Sequence, residues 1–265
     1  MTKTRTAALP DADTSAYFVR ALAKGLDILH CFGPGETYLG NKDISERVGL
    51  PKQTVSRLTM TLADLGYLAY SASLGKYRLA AGLLALAYPL LTSMRLRRVA
   101  RPFLQDLADE LGASVSVGQH FRGQMMFVES HTARGKANLA AEIGSVMPMH
   151  TTAMGKAYLA SLPIPARFDL VASLGLDAEA GKRLSAELQA CAADIATLGF
   201  CTAEMPRPQS RIAAAVPLCQ PIDGEQYVIN CGFPSYATTQ EHVRAEVGPR
   251  LVGLVREVEA AAGLR

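Results

Sequence analysis

Val48-Gly49-Leu50-Pro51-Lys52-Gln53-Thr54-Val55-Ser56-Arg57-Leu58 decides how the first third of this 265-residue chain folds. Gly49 can take the left-handed conformation that ends a helix, and Pro51 is tolerated in the first turn of the helix that follows. Before the break, Asn41–Val48 reads as a short helix with Ile44 and Val48 on one face and Asp43 in its first turn. After it, Val55, Leu58, Leu62 and Leu65 recur at helical spacing over Lys52–Leu65. The other face of that second helix shows Lys52, Gln53, Thr54, Ser56, Arg57, Met60 and Thr61. Two short helices joined by a tight Gly-containing turn predict a helix-turn-helix, whose second helix enters the major groove of DNA.

The flanks extend this reading. Upstream, Val19, Leu22, Leu26 and Leu29 mark an amphipathic helix that Phe32-Gly33-Pro34-Gly35 ends. Downstream, Tyr67–Tyr70 and Lys76–Leu79 are strand-like runs around Ser71–Gly75, a β-hairpin that makes the motif a winged helix-turn-helix. The first turns of a recognition helix reach base edges, so Gln53, Thr54 and Arg57 are the expected readers, with Gln suited to adenine and Arg to guanine. Lys52 and Ser56 suit phosphate contacts, and Lys76 and Arg78 on the wing would meet phosphate or minor groove. Taken singly, each is equally an ordinary solvated residue; their order along the chain is what points to DNA.

Charge follows the same division. Residues 1–103 carry 14 Lys/Arg and 7 Asp/Glu, whereas residues 104–265 carry 13 and 17. A basic first part joined to an acidic remainder fits a polyanion partner for the first part alone. At 49% hydrophobic and 19% charged residues, the chain has enough apolar side chains for a packed core. No apolar run approaches the ~18 residues of a membrane span, and residues 1–16 lack the order of a secretion signal, so a cytoplasmic protein without membrane contact is expected. The cysteines (Cys31, Cys191, Cys201, Cys219, Cys231) are odd in number and form no CxxC pair, and the five histidines show no HxxxH spacing. Neither a disulfide framework nor a metal site is expected, and no cofactor.

At this point the sequence resembles the isocitrate-lyase-regulator (IclR) family of bacterial transcription factors, over roughly Tyr17 to Gly263. Its N-terminal signatures are Ala23-Lys24-Gly25-Leu26-Asp27-Ile28-Leu29, the stretch quoted first, Gly66-Tyr67-Leu68 and Tyr77-Arg78-Leu79. The strongest signature is Pro148-Met149-His150-Thr151-Thr152-Ala153-Met154-Gly155-Lys156-Ala157, with Leu159-Ala160 after it. The resemblance implies a DNA-binding domain, a linker helix and an effector-sensing domain, working as a homodimer or a dimer of dimers.

The expected organisation is α+β: a flexible tail over 1–16, a winged helix-turn-helix domain over 17–79, a linker helix over 80–98 and a sensor domain over 99–265. Ala80–Met94 is rich in Leu and Ala, and Arg95, Arg97, Arg98 and Arg101 follow without an acid among them. This is either a buried connector with a basic end or a dimerisation helix whose arginines lie near DNA or pair with acids of the other domain. Beyond it, a helix over Pro102–Leu111 precedes strands at Ser114–Val117, Met125–Ser130 and Asn138–Ile143. Helices follow at Thr151–Ser161, Pro165–Leu174 and Ala178–Leu198, then strands at Arg211–Leu218 and Tyr227–Gly232, and a helix over Thr239–Ala262. Strands grouped apart from helices predict an antiparallel sheet with helices on it; the resemblance implies that it is GAF- or profilin-like.

The loop Gly144–Met149 runs into a helix start near His150–Thr152, where free amides can hold a carboxylate; His150 is alternatively a structural cap. The resemblance implies ligand contacts at Ala153 and Met154. Family sensors of small oxoacids also use an Asp, a Cys and two Ser, and an ungapped match puts those at Ala203, Ala213, Asn230 and Gly232. The loss of that polar set favours a bulkier or less polar acid, aromatic or acyl, and is compatible with no effector at all. Asn230 offers donor and acceptor; Met147 and Met154 are either adaptable walls or plain core; Arg211 is either an anion clamp or a surface charge.

Enzyme motifs fail individually. A Walker motif ending at Gly155-Lys156-Ala157 needs Gly at 150 and Ser or Thr at 157. There is no GxSxG elbow and no GxGxxG after a strand, and nothing in the sequence brings Cys231 to His150. The expectation is a sequence-specific regulator, not an enzyme, binding a double-stranded operator and responding to a small carboxylic acid through the linker. A regulator without an effector, or more remotely a small hydrolase-like enzyme, are the alternatives.

Overall fold

The computed structural model describes residues 17–136, 141–205 and 210–264. The chain divides into two compact units, with the boundary between Ser93 and Met94. The expected tail over 1–16 lies outside the described residues.

The first unit contains α1 (Arg20–His30), α2 (Asn41–Val48), α3 (Lys52–Asp64), the antiparallel hairpin β1 (Leu68–Ser71) and β2 (Lys76–Leu79), and α4 (Gly82–Ser93). Its core gathers one or two apolar side chains from each of the first five: Ile28, Ile44, Val55, Leu68 and Tyr77, with Leu39 from the approach to α2. The turn between α2 and α3 is built as its sequence requires. Gly49 takes φ 67° and its N–H donates to the Ser45 carbonyl, while Ser45 Oγ donates to the Leu50 carbonyl at 2.6 Å. Pro51 stands just ahead of α3 as its extended N-cap residue, one position earlier than expected. The wing is fastened to the body because Leu39 and Tyr77 exchange backbone hydrogen bonds of 2.9 and 2.8 Å. Buried Thr59 Oγ1 lies 3.1 Å from Asn41 Oδ1, tying the middle of α3 to the start of α2.

The second unit opens with α5 (Arg95–Leu111), then β3 (Ser114–Phe121), β4 (Gln124–Thr132), β5 (Val146–Pro148), α6 (Ala153–Ser161), α7 (Ile164–Ser173) and α8 (Ala178–Leu198). It continues with β6 (Cys201–Met205), β7 (Arg211–Pro217), β8 (Tyr227–Pro234), the short α9 (Gln240–His242), a π-turn over Val243–Val247 and α10 (Gly248–Ala261). The strands form one antiparallel sheet in the order β5-β4-β3-β8-β7-β6. α5 and α10 pack on it, and α6 with α8 buries a second cluster against it that includes Met154, Leu159, Leu188, Cys201, Ala215 and Val228. Strand alternation therefore puts Ser114, Ser116, Asn230 and Gly232 on the α6 side, and Val115, Val117, Ile229 and Cys231 on the other.

Two glycines let α6 sit close. A Cβ at Gly155 would come within 2.3 Å of the Met149 backbone, and one at Gly118 within 2.2 Å of Met154 Sδ. Gly118 also follows a register shift in the β3–β4 ladder, where Met154 lies against the sheet.

Several boundaries differ from the sequence reading. The linker helix expected over 80–98 is two helices, because Met94 is extended (ψ 102°) between them. The four arginines consequently belong to α5, whose buried stripe of Leu96, Ala100, Leu104, Leu107 and Ala108 continues through Pro102. Of the strand expected at Asn138–Ile143, residues 138–140 lie outside the described residues, and 141–143 are not strand. The strand beside β4 is instead Val146–Pro148, inside the expected loop. β6 was missed although Cys201-Thr202-Ala203-Glu204-Met205 alternates apolar with polar residues, because the run is short and Thr202 is its one β-branched residue. The last helix runs continuously over Gln240–Ala261, with a π-turn inside it ahead of Gly248, where a Cβ would meet the Phe200 ring at 2.2 Å.

Candidate functional site

On the first unit, α3 buries Val55 and Thr59 and turns Lys52, Gln53 and Arg57 outward, with Thr54 and Ser56 half-buried beside them. On β2, Tyr77 points into the core and its neighbours Lys76 and Arg78 are exposed, as strand alternation dictates. All seven expected DNA contacts are thus on α3 and the wing of one unit, none of them needed in the core. At the edge of the motif, Arg47 holds Glu36 through a second guanidinium nitrogen at 2.6 Å, and this hydrogen bond keeps the Glu36 carboxyl down at about 2.

On the second unit, a cavity of about 470 Å³, its open mouth included, lies between the sheet and α6. Strands β6, β7 and β8 contribute Ala203, Met205, Arg211, Ala213, Asn230 and Gly232. Their positions follow from register, which pairs Ala203 with Ala213, Ala213 with Gly232, and Met205 with Arg211. Ser114 and Ser116 of β3 and Phe127 of β4 continue the wall, and Ala141, Met147, Thr152, Ala153 and Met154 close it from the α6 side. Seven of the eight expected effector contacts are therefore brought together: Met147, Ala153, Met154, Ala203, Ala213, Asn230 and Gly232. Met154 is both wall and core, being fully buried in the cluster under α6.

His150 is the exception. It stands in the turn before α6 and is not part of this lining. Thr152 is the residue that caps the helix: its Oγ1 accepts from Gly155 N at 3.1 Å and donates to the Pro148 carbonyl at 2.8 Å. Burial, and then the neighbouring Lys156 charge, push the His150 imidazole below its ordinary range, which favours the neutral ring. Lys156 itself, recessed to 9% exposure, pairs with Glu187 of α8 at 2.9 Å and fastens α6 to α8.

The electrostatics of the cavity are simple. Arg211 is the one charged residue among its described lining. The first amides of an α-helix have no intrahelical acceptor, and with Gly155 N capped by Thr152, those of Ala153 and Met154 add a second source of positive potential. Sequence reasoning missed Ser114, Ser116, Phe127, Ala141, Thr152 and Met205 as lining. The signal for the serines was present in the alternation Ser114-Val115-Ser116-Val117, which puts both hydroxyls on one face of a strand.

The arginines of α5 also find their place. Arg97 Nε donates to Glu129 Oε2 at 2.9 Å and Arg101 lies 3.7 Å from the same oxygen, around a carboxylate that is 3% exposed. Arg97 thus serves a buried ion pair inside the second unit, and Arg101, largely exposed, stands at its rim. Among the described residues no group of three His, Cys, Asp or Glu could hold a metal ion, and no described helix is long and apolar enough to cross a membrane.

Comparison with known proteins places these features. Residues 21–72 match the IclR helix-turn-helix domain, and residues 89–167 match the bacterial transcriptional regulator IclR C-terminal domain. The HTH-type transcriptional regulator TsaQ1/TsaQ2 of Comamonas testosteroni is 31% identical over 249 residues, covering 91% of this chain and 88% of the relative. The crystal structure of an IclR family transcriptional regulator from Brucella abortus is 33% identical and superposes with a TM-score of 0.84 over 97% of both chains. The fold is shared by an IclR homolog from Microbacterium hydrocarbonoxydans crystallised with 4-hydroxybenzoate, at 20% identity and a TM-score of 0.70 over 92% of this chain and all of that one. The chain belongs to the IclR family of DNA-binding transcriptional regulators.

Proposed function

We propose that this regulator reads a palindromic operator through α3 and its wing, and that a small organic acid, aromatic or acyl, modulates that binding from the cavity under α6. Gln53, Thr54 and Arg57 read bases, while Lys52, Ser56, Lys76 and Arg78 fix the protein on phosphate. One observation carries the acid: a largely apolar cavity whose only described charge is Arg211, beside the first-turn amides of α6. A bound 4-hydroxybenzoate in a relative of the same fold supports an acid of that size. The acid shifts DNA affinity only by as much as it binds the free and the DNA-bound protein unequally.

A homodimer, or a dimer of such dimers, is the assembly that matches a two-fold operator. It is supported by α4, an apolar helix with no buried residue in the single chain, on which Leu84, Leu86, Tyr88 and Leu90 are all exposed. A second copy is the natural cover for such a face. Localisation in the cytoplasm follows from acting on DNA.

The test is selection of genomic fragments by the purified protein at two salt concentrations, followed by titration of aromatic and acyl acids onto the complex. A few palindromic sites with a steep salt dependence, and an acid that moves their affinity, support the proposal. Operator binding that ignores every acid would reduce the protein to a regulator without an effector.

A further inference from the structure

The exposed residues of α3 are Lys52, Gln53, Arg57, Met60, Thr61 and Asp64, and Met60 is the one apolar side chain among them. It is 58% exposed and stands outside the apolar core that holds the helix. At about 100° per residue it lies about 20° from Gln53, nearly two turns earlier, and about 60° from Arg57. The three share one stripe, on the side away from buried Val55. Met60 is also the last residue of that stripe suited to a base edge. Thr61 Oγ1 donates to the Arg57 carbonyl at 2.9 Å, and Asp64, one turn on, carries a charge that phosphate repels.

Helix and duplex dimensions say where it falls. From Gln53 to Met60 is about 10 Å of helix, and base pairs follow one another every ~3.4 Å. Along the groove, Gln53, Arg57 and Met60 therefore cover about three base steps. Chemistry says what it meets. Gln and Arg recognise bases by hydrogen bonds, whereas methionine carries no donor and only a weak thioether acceptor. Thymine is the one base that presents an apolar group in the major groove, its C5-methyl. A flexible, polarizable side chain packs well on such a group, and covering both removes apolar surface from water.

We propose that Met60 is a further specificity-determining residue, packing on a thymine C5-methyl about three base pairs from the base that Gln53 reads. The proposal rests on the reading of α3 as the recognition helix and adds an apolar letter to those of Gln53, Thr54 and Arg57.

A genomic fragment selected by the full chain, shortened to the duplex that keeps its affinity, supplies the test. Each thymine in turn is replaced by deoxyuridine, which removes the methyl and preserves the pairing, and binding is followed by fluorescence anisotropy. At one thymine of a half-site the exchange is expected to weaken wild-type binding about 3- to 5-fold, the worth of one buried methyl. Met60→Ala is expected to bind the thymine and deoxyuridine duplexes within about 1.5-fold of each other, since the apolar partner of the methyl is gone. Its melting temperature should match the wild type, because Met60 is not in the core. A duplex in which no thymine methyl matters overturns the assignment. So does a sensitivity that Met60→Ala leaves intact, which would trace the effect to duplex shape. Neither result touches the reading of α3, which Arg57→Ala judges by itself. Binding without any preferred fragment overturns that reading and the methyl contact together.

Discussion

The two units put their working residues in opposite places. On the first, Lys52, Gln53, Arg57, Lys76 and Arg78 stand in solvent, on elements held by a core they do not enter. On the second, Ser114, Ser116, Met154 and Asn230 are buried, so the cavity wall is also part of the packing. A reading face of the first kind can change its letters at little cost in stability. A cavity of the second kind cannot change a wall residue without touching the fold, because interiors are packed close to crystal density.

Substitutions can break this contrast, and the largest effect is expected at Gly155. Its replacement by Ala drives a Cβ into the Met149 backbone, which cannot yield as a flexible side chain can. We expect Gly155→Ala to cost about 3 kcal/mol or more of second-unit stability, read by urea denaturation, together with loss of any acid response. Near-native stability would mean that α6 can shift away from the turn and that the cavity is softer than described. Next comes Glu129→Ala, which strands the recessed Arg97 without its carboxylate partner and should cost about 2–4 kcal/mol in the same measurement. A loss below ~0.5 kcal/mol would put this pair with the exposed ones.

Arg57→Ala sharpens the contrast from the other side. It should leave the melting temperature unchanged and weaken operator binding by about 1–3 kcal/mol, with relaxed preference at one base position. Equal loss on operator and scrambled DNA would identify a phosphate contact. The smallest effect belongs to Glu36, whose pair with Arg47 is exposed on both sides and screened by solvent. Because the folded carboxyl titrates near 2 rather than 4.5, its contribution is complete above about pH 4.5 and fades as the pH falls toward 2. Glu36→Gln should therefore change stability by no more than about 1 kcal/mol at pH 7, and the difference from wild type should shrink in acid.

The same contrast governs how much could be read from the sequence. The first unit is local: Gly49, Pro51 and the spacing of Val55, Leu58 and Leu62 fix its turn and its helices, so the exposed residues of α3 follow by geometry. The second unit is not. Ser116, Asn230 and Ala215 lie next to one another only because β3 pairs with β8 and β8 with β7, across more than a hundred residues of chain. Family resemblance supplied Ala203, Ala213, Asn230 and Gly232 without that register. The helix start after Gly144–Met149 suggested His150, which the structure leaves in a turn while Thr152 does the capping. The break at Met94 was hidden because no Gly or Pro marks it and only an extended backbone separates the two helices.

The most direct test of a DNA reader controlled from a buried acid site is one titration. A labelled genomic fragment selected by the protein is bound with and without the tightest-binding acid, for the wild type and for Arg211→Ala. For the wild type, a several-fold shift in affinity is expected with the acid, and in Arg211→Ala the shift should vanish while acid-free binding persists. Operator affinity that the acid leaves unmoved, or a shift that survives Arg211→Ala undiminished, would contradict control from this cavity.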